Sequence, residues 1–414
     1  MKTQISIKLR IFFSCWLFLL ATKSAFTQQL NWYNNGVMHI STSAKVISIG
    51  SFENKEEGSF VNNGEVVFKS DIINHGDLLF SETLMSHTRI EGNNSQRVSG
   101  THPIKFYNLE LNTFGTSEID LENDLEIYGH TIFNHGILNT RETGGSINFY
   151  PQATVSNASN YSFIDGFTRK YGKESFQFPI GNKGWYRAMR IYGNTNALDA
   201  YEAIYHYENS DRYFPHTSKQ HGISYINTEE YWELIDYHTT DHVYVSIRLS
   251  NETMPNVLFN TNATLTIVAW DLAQHKWVDL GGVLDEVEEW ITTIFKVDIY
   301  GVYTIALKEG DTDDLEIFNA VNPKDNYGNQ YFRIEGIHVY PDNELRIFNK
   351  WGELVYQTEA YGTEGNVFKG ISKGGFVLKE GSELPEGTYF YILKRGNAKG
   401  GKHFTNVGYL YLIR

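Results

Sequence analysis

A short phrase recurs in the first half of the chain, and it constrains the fold more than any other feature. Residues 60–68 read Phe-Val-Asn-Asn-Gly-Glu-Val-Val-Phe, residues 72–80 read Ile-Ile-Asn-His-Gly-Asp-Leu-Leu-Phe, and residues 132–138 read Ile-Phe-Asn-His-Gly-Ile-Leu. Each copy is an apolar segment, an Asn-x-Gly corner and a second apolar segment. Asn and Gly tolerate the left-handed backbone that a tight corner requires.

The spacing of these corners indicates a repeating fold. The interval from Gly76 to Gly136 is a whole multiple of the interval from Gly64 to Gly76, which we take as the step of the repeat. Short strands with repeated corner residues predict a β-solenoid, similar to a parallel β-helix, over residues 29–165. In such a fold each turn buries its apolar side chains on the next turn. A run of ordinary β-hairpins is the alternative, because Asn-Gly also marks two-residue hairpin loops.

The middle of the chain also has the pattern of β-strands. Apolar and polar residues alternate over residues 243–249 and 263–270, as in strands with one buried face, and residues 300–307 resemble a closing strand. This density of strands predicts a β-sandwich over residues 166–308.

Composition supports an all-β fold and excludes one class of partner. The chain has 27 Tyr and 26 Phe, and aromatic residues fit the half-buried surfaces of sheets. Its formal net charge is −14, and no block of five or six basic residues interrupts it. A chain with this negative charge should repel the phosphate backbone of nucleic acids, and we therefore expect no nucleic-acid partner.

The N-terminus predicts a signal peptide at residues 1–27. Lys2, Lys8 and Arg10 precede an apolar run at residues 11–20, and small residues follow, which is the order typical of secretory signals. The run is too short to span a bilayer, which needs about 20 residues.

Cys15 lies inside this segment and is the only cysteine. Lipidation at Ser14-Cys15 is the alternative interpretation, but most of the apolar run follows Cys15, whereas lipidation requires the run before it. The mature chain would have no disulfide, thiolate nucleophile or cysteine-based metal site.

Two groups of residues could carry metal or hydrolytic chemistry. His238, Asp241 and His242 have the spacing of a zinc site, although no third histidine is placed with them, and a polar surface loop is the simpler interpretation. His130 and His135 differ by an odd step and should face opposite sides of a strand.

An acidic row is the second group. Glu118, Asp120, Glu122, Asp124 and Glu126 alternate along a predicted strand and would share a face, where paired carboxylates could serve glycoside hydrolysis or lyase chemistry. The solvent side of a strand explains the row more simply. Phosphate-binding loops, nucleophile elbows and His-Glu-x-x-His motifs are absent from the sequence. We therefore expect no enzymatic activity and no cofactor or metal.

Residues 309–314 form a polar, acidic linker to a third region, residues 315–414. The residues that characterise this region are Asn322, Pro323, Asp325, Asn329, Phe332, Gly336, Trp351, Gly352, Pro385, Gly387, Thr388, Tyr389 and Tyr391. They stand in phrases such as Phe-Asn-Lys-Trp-Gly-Glu-Leu-Val-Tyr and Leu-Pro-Glu-Gly-Thr-Tyr-Phe-Tyr. In this order, the phrases closely resemble the gliding-motility-associated C-terminal domain, the type B sorting domain of type IX secretion.

The resemblance implies a small β-sandwich whose role is delivery. The signal peptide would take the chain across the inner membrane. The type IX translocon, together with an outer-membrane protein of the PorP/SprF kind, would then export it to the cell surface or the medium. One loop departs from the family, because residues 323–330 have one carboxylate where the family has two. We therefore expect an Asx turn there in place of a cation site.

The solenoid region resembles β-helical segments in surface proteins of bacteria that use type IX secretion. The phrases that carry this likeness are at residues 96–100, 106–111, 163–166 and 178–181, and the last two would mark the exit into the sandwich. Two functions follow. The first is an exported structural or adhesin-like surface protein with a glycan, host or substratum ligand. The alternative is an extracellular carbohydrate-binding or carbohydrate-active protein on a β-helix.

Overall fold

The protein is described by a computed structural model over residues 30–114, 117–238, 240–259, 263–285, 287–308, 315–325, 328–363, 365–374, 379–396 and 403–414. Within these ranges it consists of β-strands with three short 3₁₀ helices, and it contains no α-helix. The predicted all-β class with an N-terminal solenoid is confirmed. The predicted signal peptide and the linker 309–314 lie outside these ranges. None of the described segments is a helix long and apolar enough to cross a membrane.

The first twenty strands are short. They are β1 Trp32–Asn34, β2 Val37–Ile40, β3 Lys45–Ser48, β4 Phe52–Asn54, β5 Ser59–Asn62, β6 Glu65–Phe68, β7 Ile72–Asn74, β8 Asp77–Leu79, β9 His87–Gly92, β10 Gln96–Gly100, β11 Ile104–Phe106, β12 Asn108–Thr113, β13 Glu118–Leu121, β14 Leu125–Ile127, β15 His130–His135, β16 Ile137–Asn139, β17 Ile147–Phe149, β18 Thr154–Ser156, β19 Ile164–Asp165 and β20 Thr168–Tyr171.

These strands wind into a solenoid with three faces and about six turns. Face 1 is β1-β4-β7-β10-β13-β16-β19, and face 3 is β3-β6-β9-β12-β15-β18. Face 2 starts as β2-β5-β8 and continues as the ladder β11-β14-β17-β20. Pairing between turns is parallel throughout, as in β1 with β4 and β3 with β6. The hairpin alternative is therefore wrong, because hairpins would pair antiparallel.

The period of the solenoid is longer than the predicted step from Gly64 to Gly76. Trp32 lies beside Phe52, and Phe52 lies beside Ile72, so that one turn runs from each of these residues to the next. Gly64 follows β5 and Gly76 follows β7, so these glycines occupy different corners of the turn. The predicted step is thus a distance between corners.

The corner glycines are needed for two different reasons. Gly136 has a φ of 109°, which is the conformation that we expected at all three corners. At Gly64 and Gly76 the limit is space, because a Cβ would lie 2.3 Å from the Ser41 carbonyl oxygen and 2.2 Å from that of Gly58. Stacking of one turn on the previous one therefore excludes a side chain at these two corners.

Buried asparagines connect the first three turns. Asn34 donates from Nδ2 to Asn54 Oδ1 at 2.8 Å, and Asn54 Nδ2 donates to Asn74 Oδ1 at 2.9 Å. All three are buried, and each lies one turn after the previous one. A side-chain amide has both a hydrogen-bond donor and an acceptor. Asparagines stacked at the same position of successive turns can therefore form hydrogen bonds with each other along the solenoid axis.

The sandwich strands follow the solenoid. They are β21 Phe176–Phe178, β22 Gly181–Asn182, β23 Trp185–Tyr186, β24 Met189–Tyr192, β25 Ala200–His206, β26 Ile223–Ile226, β27 Tyr231–His238, β28 Tyr244–Arg248, β29 Thr264–Asp271, β30 Lys276–Asp279, β31 Val283–Asp285, β32 Trp290–Thr292 and β33 Gly301–Lys308, with 3₁₀ helices at Ser210–Arg212 and Asn256–Leu258.

One sheet runs from the solenoid into the sandwich. On one side β20 pairs parallel with β17, and on the other side it pairs antiparallel with β25. The sheet then continues through β27, β33, β29 and β30, and it faces the sheet β21-β24-β28-β32-β31. Val245 and Ile247 of β28 join Ala203 and Tyr205 of β25 in the same apolar core as the solenoid interior. The two regions therefore share a core and a sheet.

The C-terminal strands are β34 Glu316–Ile317, β35 Ala320–Val321, β36 Ile334–Glu335, β37 Asn343–Phe348, β38 Leu354–Glu359, β39 Gly387–Gly396 and β40 His403–Leu412, with a 3₁₀ helix at Ile337–Val339. The main sheet is β35-β40-β39-β37-β38, and β34 pairs with β36. These residues have an apolar core of their own, separate from that of the solenoid and sandwich.

Candidate functional site

The characteristic C-terminal residues take three structural roles. Phe332, Tyr389 and Tyr391 are buried in the core, where the rings of Phe332 and Tyr391 are 4.8 Å apart. The Tyr389 hydroxyl donates to the Pro385 carbonyl at 2.7 Å, which ties the turn before β39 to that strand. Gly387 and Thr388 then begin β39.

The loop at residues 322–330 is held by an Asx turn. Asn322 Oδ1 accepts from the Lys324 amide at 3.0 Å, and the Asn322 amide donates to the Asn329 carbonyl at 2.7 Å. The Asp325 amide also donates to the Asn322 carbonyl, at 2.9 Å. Pro323 lies within this turn. Residues 326 and 327 lie outside the described ranges. The described contacts are those of the Asx turn that we predicted.

Two of the glycines shape turns of the domain. Gly336 has a φ of 84° and precedes the short 3₁₀ helix, and Gly352 has a φ of 76° in the hairpin between β37 and β38. Trp351 beside it remains 59% exposed, with the Lys350 ammonium 4.9 Å from its ring centre.

The C-terminal domain packs on the sandwich through this hairpin and its main sheet. A Cβ at Gly352 would lie 2.9 Å from a ring carbon of Tyr244, which stacks on Tyr192 with ring centres 5.1 Å apart. A cleft of about 620 Å³ follows the same boundary, with Leu265 on the sandwich side and Tyr409 on the other. This face of the domain is therefore covered by the rest of the chain.

The predicted acidic row is not a single row, and this expectation is wrong. Glu118 and Asp120 lie on β13 in face 1, whereas Glu126 lies on β14 in face 2, with a corner between them. On face 1, burial raises the pKa of Glu118, and the neighbouring Asp120, Asp165 and Glu142 raise it further. The tertiary fold separates the five carboxylates because the solenoid turns a corner after Leu121.

The histidine candidates do not form a metal site in the described part of the chain. No group of three or more His, Cys, Asp or Glu residues there could hold a metal ion. The side chain of His238 lies outside the described set, and Asp241 is bound by Thr195 and Lys296.

His130 and His135 both lie toward the outside of β15, because the pairing register shifts by one residue along this strand. The expectation of opposite sides is therefore wrong.

Asp241 makes the stability of the sandwich sensitive to acid. Burial alone would raise its pKa, but hydrogen bonds from the Thr195 hydroxyl and amide and from the His242 amide, with the Lys296 ammonium nearby, lower its pKa to about 2. A lowered pKa stabilises the folded state above the usual value of 3.8, and this contribution is lost as the pH falls from 3.8 to about 2. We expect Asp241→Asn to be less stable than the wild type at neutral pH and to lose less stability on acidification.

Urea unfolding at about pH 6 and about pH 3 measures this difference. Glu252→Gln, which removes an exposed carboxylate from a surface turn, is the control. A stability gap between wild type and Asp241→Asn that is equal at both pH values would contradict the prediction.

An exposed column of aromatic rings follows one corner of the solenoid. Phe114 stacks on His135 with ring centres 5.3 Å apart, and His135 lies 6.2 Å from Tyr161. These three residues, the aromatic column, come from successive turns at the corner between faces 3 and 1. Phe114 is 48% and Tyr161 is 74% exposed. Sequence reasoning missed the column, because Phe114 directly follows β12, His135 ends β15 and Tyr161 comes several residues after β18, so no fixed offset marks the three positions.

A polar row lies beside the aromatic column on face 3. Asn157 donates to Asn134 Oδ1 at 3.4 Å, and Asn134 donates to a carboxylate oxygen of Glu110 at 3.0 Å. Arg89 pairs with the other oxygen of Glu110 at 2.9 Å. Aromatic rings next to amide and charged groups suit a ligand with both apolar and hydroxyl-bearing surfaces.

A second aromatic stack has a different character. Tyr128 and Tyr150 are stacked at 4.4 Å and 9°, and Tyr171 continues the stack at 5.1 Å from Tyr150. The three residues are half-buried, and their ring faces pack against each other. This stack therefore stabilises the turns of face 2 and leaves little ring surface for a ligand.

Comparison with known proteins identifies the C-terminal region. Residues 315–412 match the family model described as the CHU_C type IX secretion signal domain. No curated protein and no solved structure matches the chain. The match covers the C-terminal domain alone, and it confirms the resemblance drawn from the sequence phrases.

Proposed function

We propose that this chain, which carries a type IX secretion signal domain at residues 315–412 and is exported by that system, works outside the cell as a surface structural or adhesin-like protein. The observation that carries the proposal is the exposed aromatic column, because it places large rings on the outside of a rigid solenoid. Exposed aromatic residues are enriched at binding surfaces, where they contribute contact area at a low cost in conformational entropy. We expect the chain to act without turnover.

The architecture supports presentation of a ligand-binding surface. The solenoid continues into the sandwich through one sheet, and the sandwich contacts the signal domain at Gly352. A ligand bound at the aromatic column would thus be held by strands that share one apolar core with the sandwich.

The secretion machinery is the partner implied by the signal domain. We propose in addition an outer-membrane partner of the PorP/SprF kind and an initial passage across the inner membrane through the signal peptide at residues 1–27. The support is the resemblance to type B sorting domains and the charged, apolar and small order of the N-terminal residues. Co-purification of the exported chain with outer-membrane proteins tests the partner. Recovery of the translocon without any such protein would contradict it.

A glycan is the ligand that best fits the aromatic column and its polar row. We expect residues 28–414 to bind one or more polysaccharides in an array, and Phe114→Ala/Tyr161→Ala to weaken that binding at least about tenfold. Phe295→Ala/Tyr213→Ala removes two aromatic side chains of similar exposure elsewhere and is the matched control. Equal binding by both double variants would contradict a role for the aromatic column.

A carbohydrate-active enzyme is the second candidate, and the position of Glu118 and Asp120 on the same side of β13 favours it. Glycosidases pair a protonated acid with a second carboxylate. Release of reducing ends or unsaturated sugars by the wild type, abolished in Glu118→Gln, would establish this candidate over a purely adhesive protein. Binding without product release by the wild type supports the first.

A further inference from the structure

Among the described residues, the first turn of the solenoid ends in three strand edges that pair with no further strand. β1, β2 and β3 are each the last strand of their sheet. In the pairing of β1 with the second turn, the Trp32 amide donates to the Ser51 carbonyl, and the Asn34 carbonyl accepts from the Lys55 amide. Because these groups alternate along a strand, the intervening residues direct their amide and carbonyl groups away from the second turn. On the three strands these residues are Tyr33, Val37, His39, Lys45 and Ile47.

This open end is also apolar. Val37 is 84% and Ile47 is 49% exposed. Trp32, Met38 and Val46, which point into the solenoid, are only partly buried, because no turn within the described residues covers them from this side. In this part of the chain a cross-section of the core is therefore open to solvent, whereas the terminal turn of a stable solenoid normally has a polar outer face.

The open end lacks the features that keep strand edges apart. Residues 30–50 contain no proline and only one charged residue among Asp, Glu, Lys and Arg, which is Lys45. Its ammonium is already paired with Glu65 at 2.7 Å. Natural edge strands usually contain charges, prolines or bulges that prevent pairing with another chain.

The occupant of this edge must match three strands at once. Removal of the predicted signal peptide would leave two residues before Leu30, too few to pair with β1, β2 and β3. A second copy presents the same three edges. A two-fold axis that crosses the end of the solenoid at β2 would pair β2 with its equivalent and β1 with β3 of the other copy, all antiparallel. The other end of the solenoid continues into the sandwich through the pairing of β20 with β25. Each chain thus has one open end for pairing, so the assembly is complete at two copies.

We propose that the exported protein forms a two-fold dimer, head to head, through β1, β2 and β3. The dimer places the two signal domains at opposite ends and brings two aromatic columns onto one elongated particle. Two weak ligand sites on one particle raise the apparent affinity for a repeating ligand.

The dimer is tested first by mass. We expect residues 28–414 to elute with twice the chain mass in size-exclusion chromatography with light scattering, across a dilution series. Val37→Lys/Ile47→Lys should elute as a monomer, because it adds like charges to two of the three strand edges that would pair between the copies. The matched control is Leu198→Lys/Val287→Lys, which changes two exposed apolar residues of the sandwich, 75% and 91% exposed, and should remain a dimer. A monomeric wild type, or loss of the dimer in the control as well, would overturn the proposal.

Disulfide trapping gives a second test that does not depend on loss of structure. Cys15 is the only cysteine of the sequence, so residues 28–414 contain none. We expect His39→Cys or Val37→Cys to form a disulfide-linked dimer under mild oxidation, because equivalent residues of β2 meet near the axis. Val287→Cys should stay unlinked. Linkage of the control to the same extent, or no linkage at either β2 position, would refute the head-to-head arrangement.

Discussion

Without residues 310–414 we expect the protein to stay inside the cell. We expect this deletion to abolish export because residues 315–412 are the type IX secretion signal domain. The deletion leaves the apolar core of the solenoid and sandwich intact, since the signal domain has its own core. Immunoblots of the medium, surface protease digestion and cell fractions measure the distribution of the chain. The truncated chain should accumulate in the cell fractions only.

The control must separate lost export from lost folding. The truncated chain, purified from cells, should keep the circular dichroism of a β protein and resist limited proteolysis as the full chain does. A converse fusion of residues 309–414 to a secreted reporter should appear outside the cell when it is made in cells that export the full chain. Surface display of the truncated chain at the wild-type level would contradict the role of this domain.

Phe52→Ala should cause the largest loss of stability among single substitutions in the solenoid. Phe52 is fully buried, and its ring lies 4.7 Å from Trp32, 5.0 Å from Phe60 and 5.3 Å from Phe68. Truncation of such a side chain removes its transfer free energy and leaves a cavity between turns. We expect the free energy of unfolding to fall by about 3–5 kcal/mol.

Urea unfolding followed by circular dichroism measures this loss. Phe52→Leu should lose less than Phe52→Ala, because it keeps most of the buried volume. Phe114→Ala is the matched control on the same solenoid, since its ring is half exposed, and it should change stability little while weakening ligand binding. A loss for Phe52→Ala no larger than that for Phe114→Ala would contradict the packing argument.

Several features of the fold could be predicted from short stretches of sequence. Apolar alternation at residues 263–270 corresponds to β29, and the Trp-Gly phrase at residues 351–352 corresponds to the hairpin between β37 and β38. The C-terminal phrases identified the export domain because they form one contiguous, ordered block. In each case the signal lies within a few neighbouring residues, where local propensity and turn chemistry act directly.

The candidate binding surface could not be predicted in this way. Phe114, His135 and Tyr161 lie far apart in the sequence, and they meet only because their corners stack. The interval from Gly64 to Gly76 was misleading for the same reason, since these glycines belong to different corners. A better signal was present in the asparagines at positions 34, 54 and 74, whose constant spacing is the length of the first turns and which form the amide ladder.

The sequence by itself determined the β class, the recurring corners and the export signal, because each depends on residues close together in the chain. Only the tertiary structure decided the length of the solenoid turn, the division of the acidic row between two faces, and the continuous sheet through β20 and β25. These depend on the pairing register between distant strands. A shift of one residue in that register moves every side chain to the opposite face, and packing of whole turns against each other selects the register.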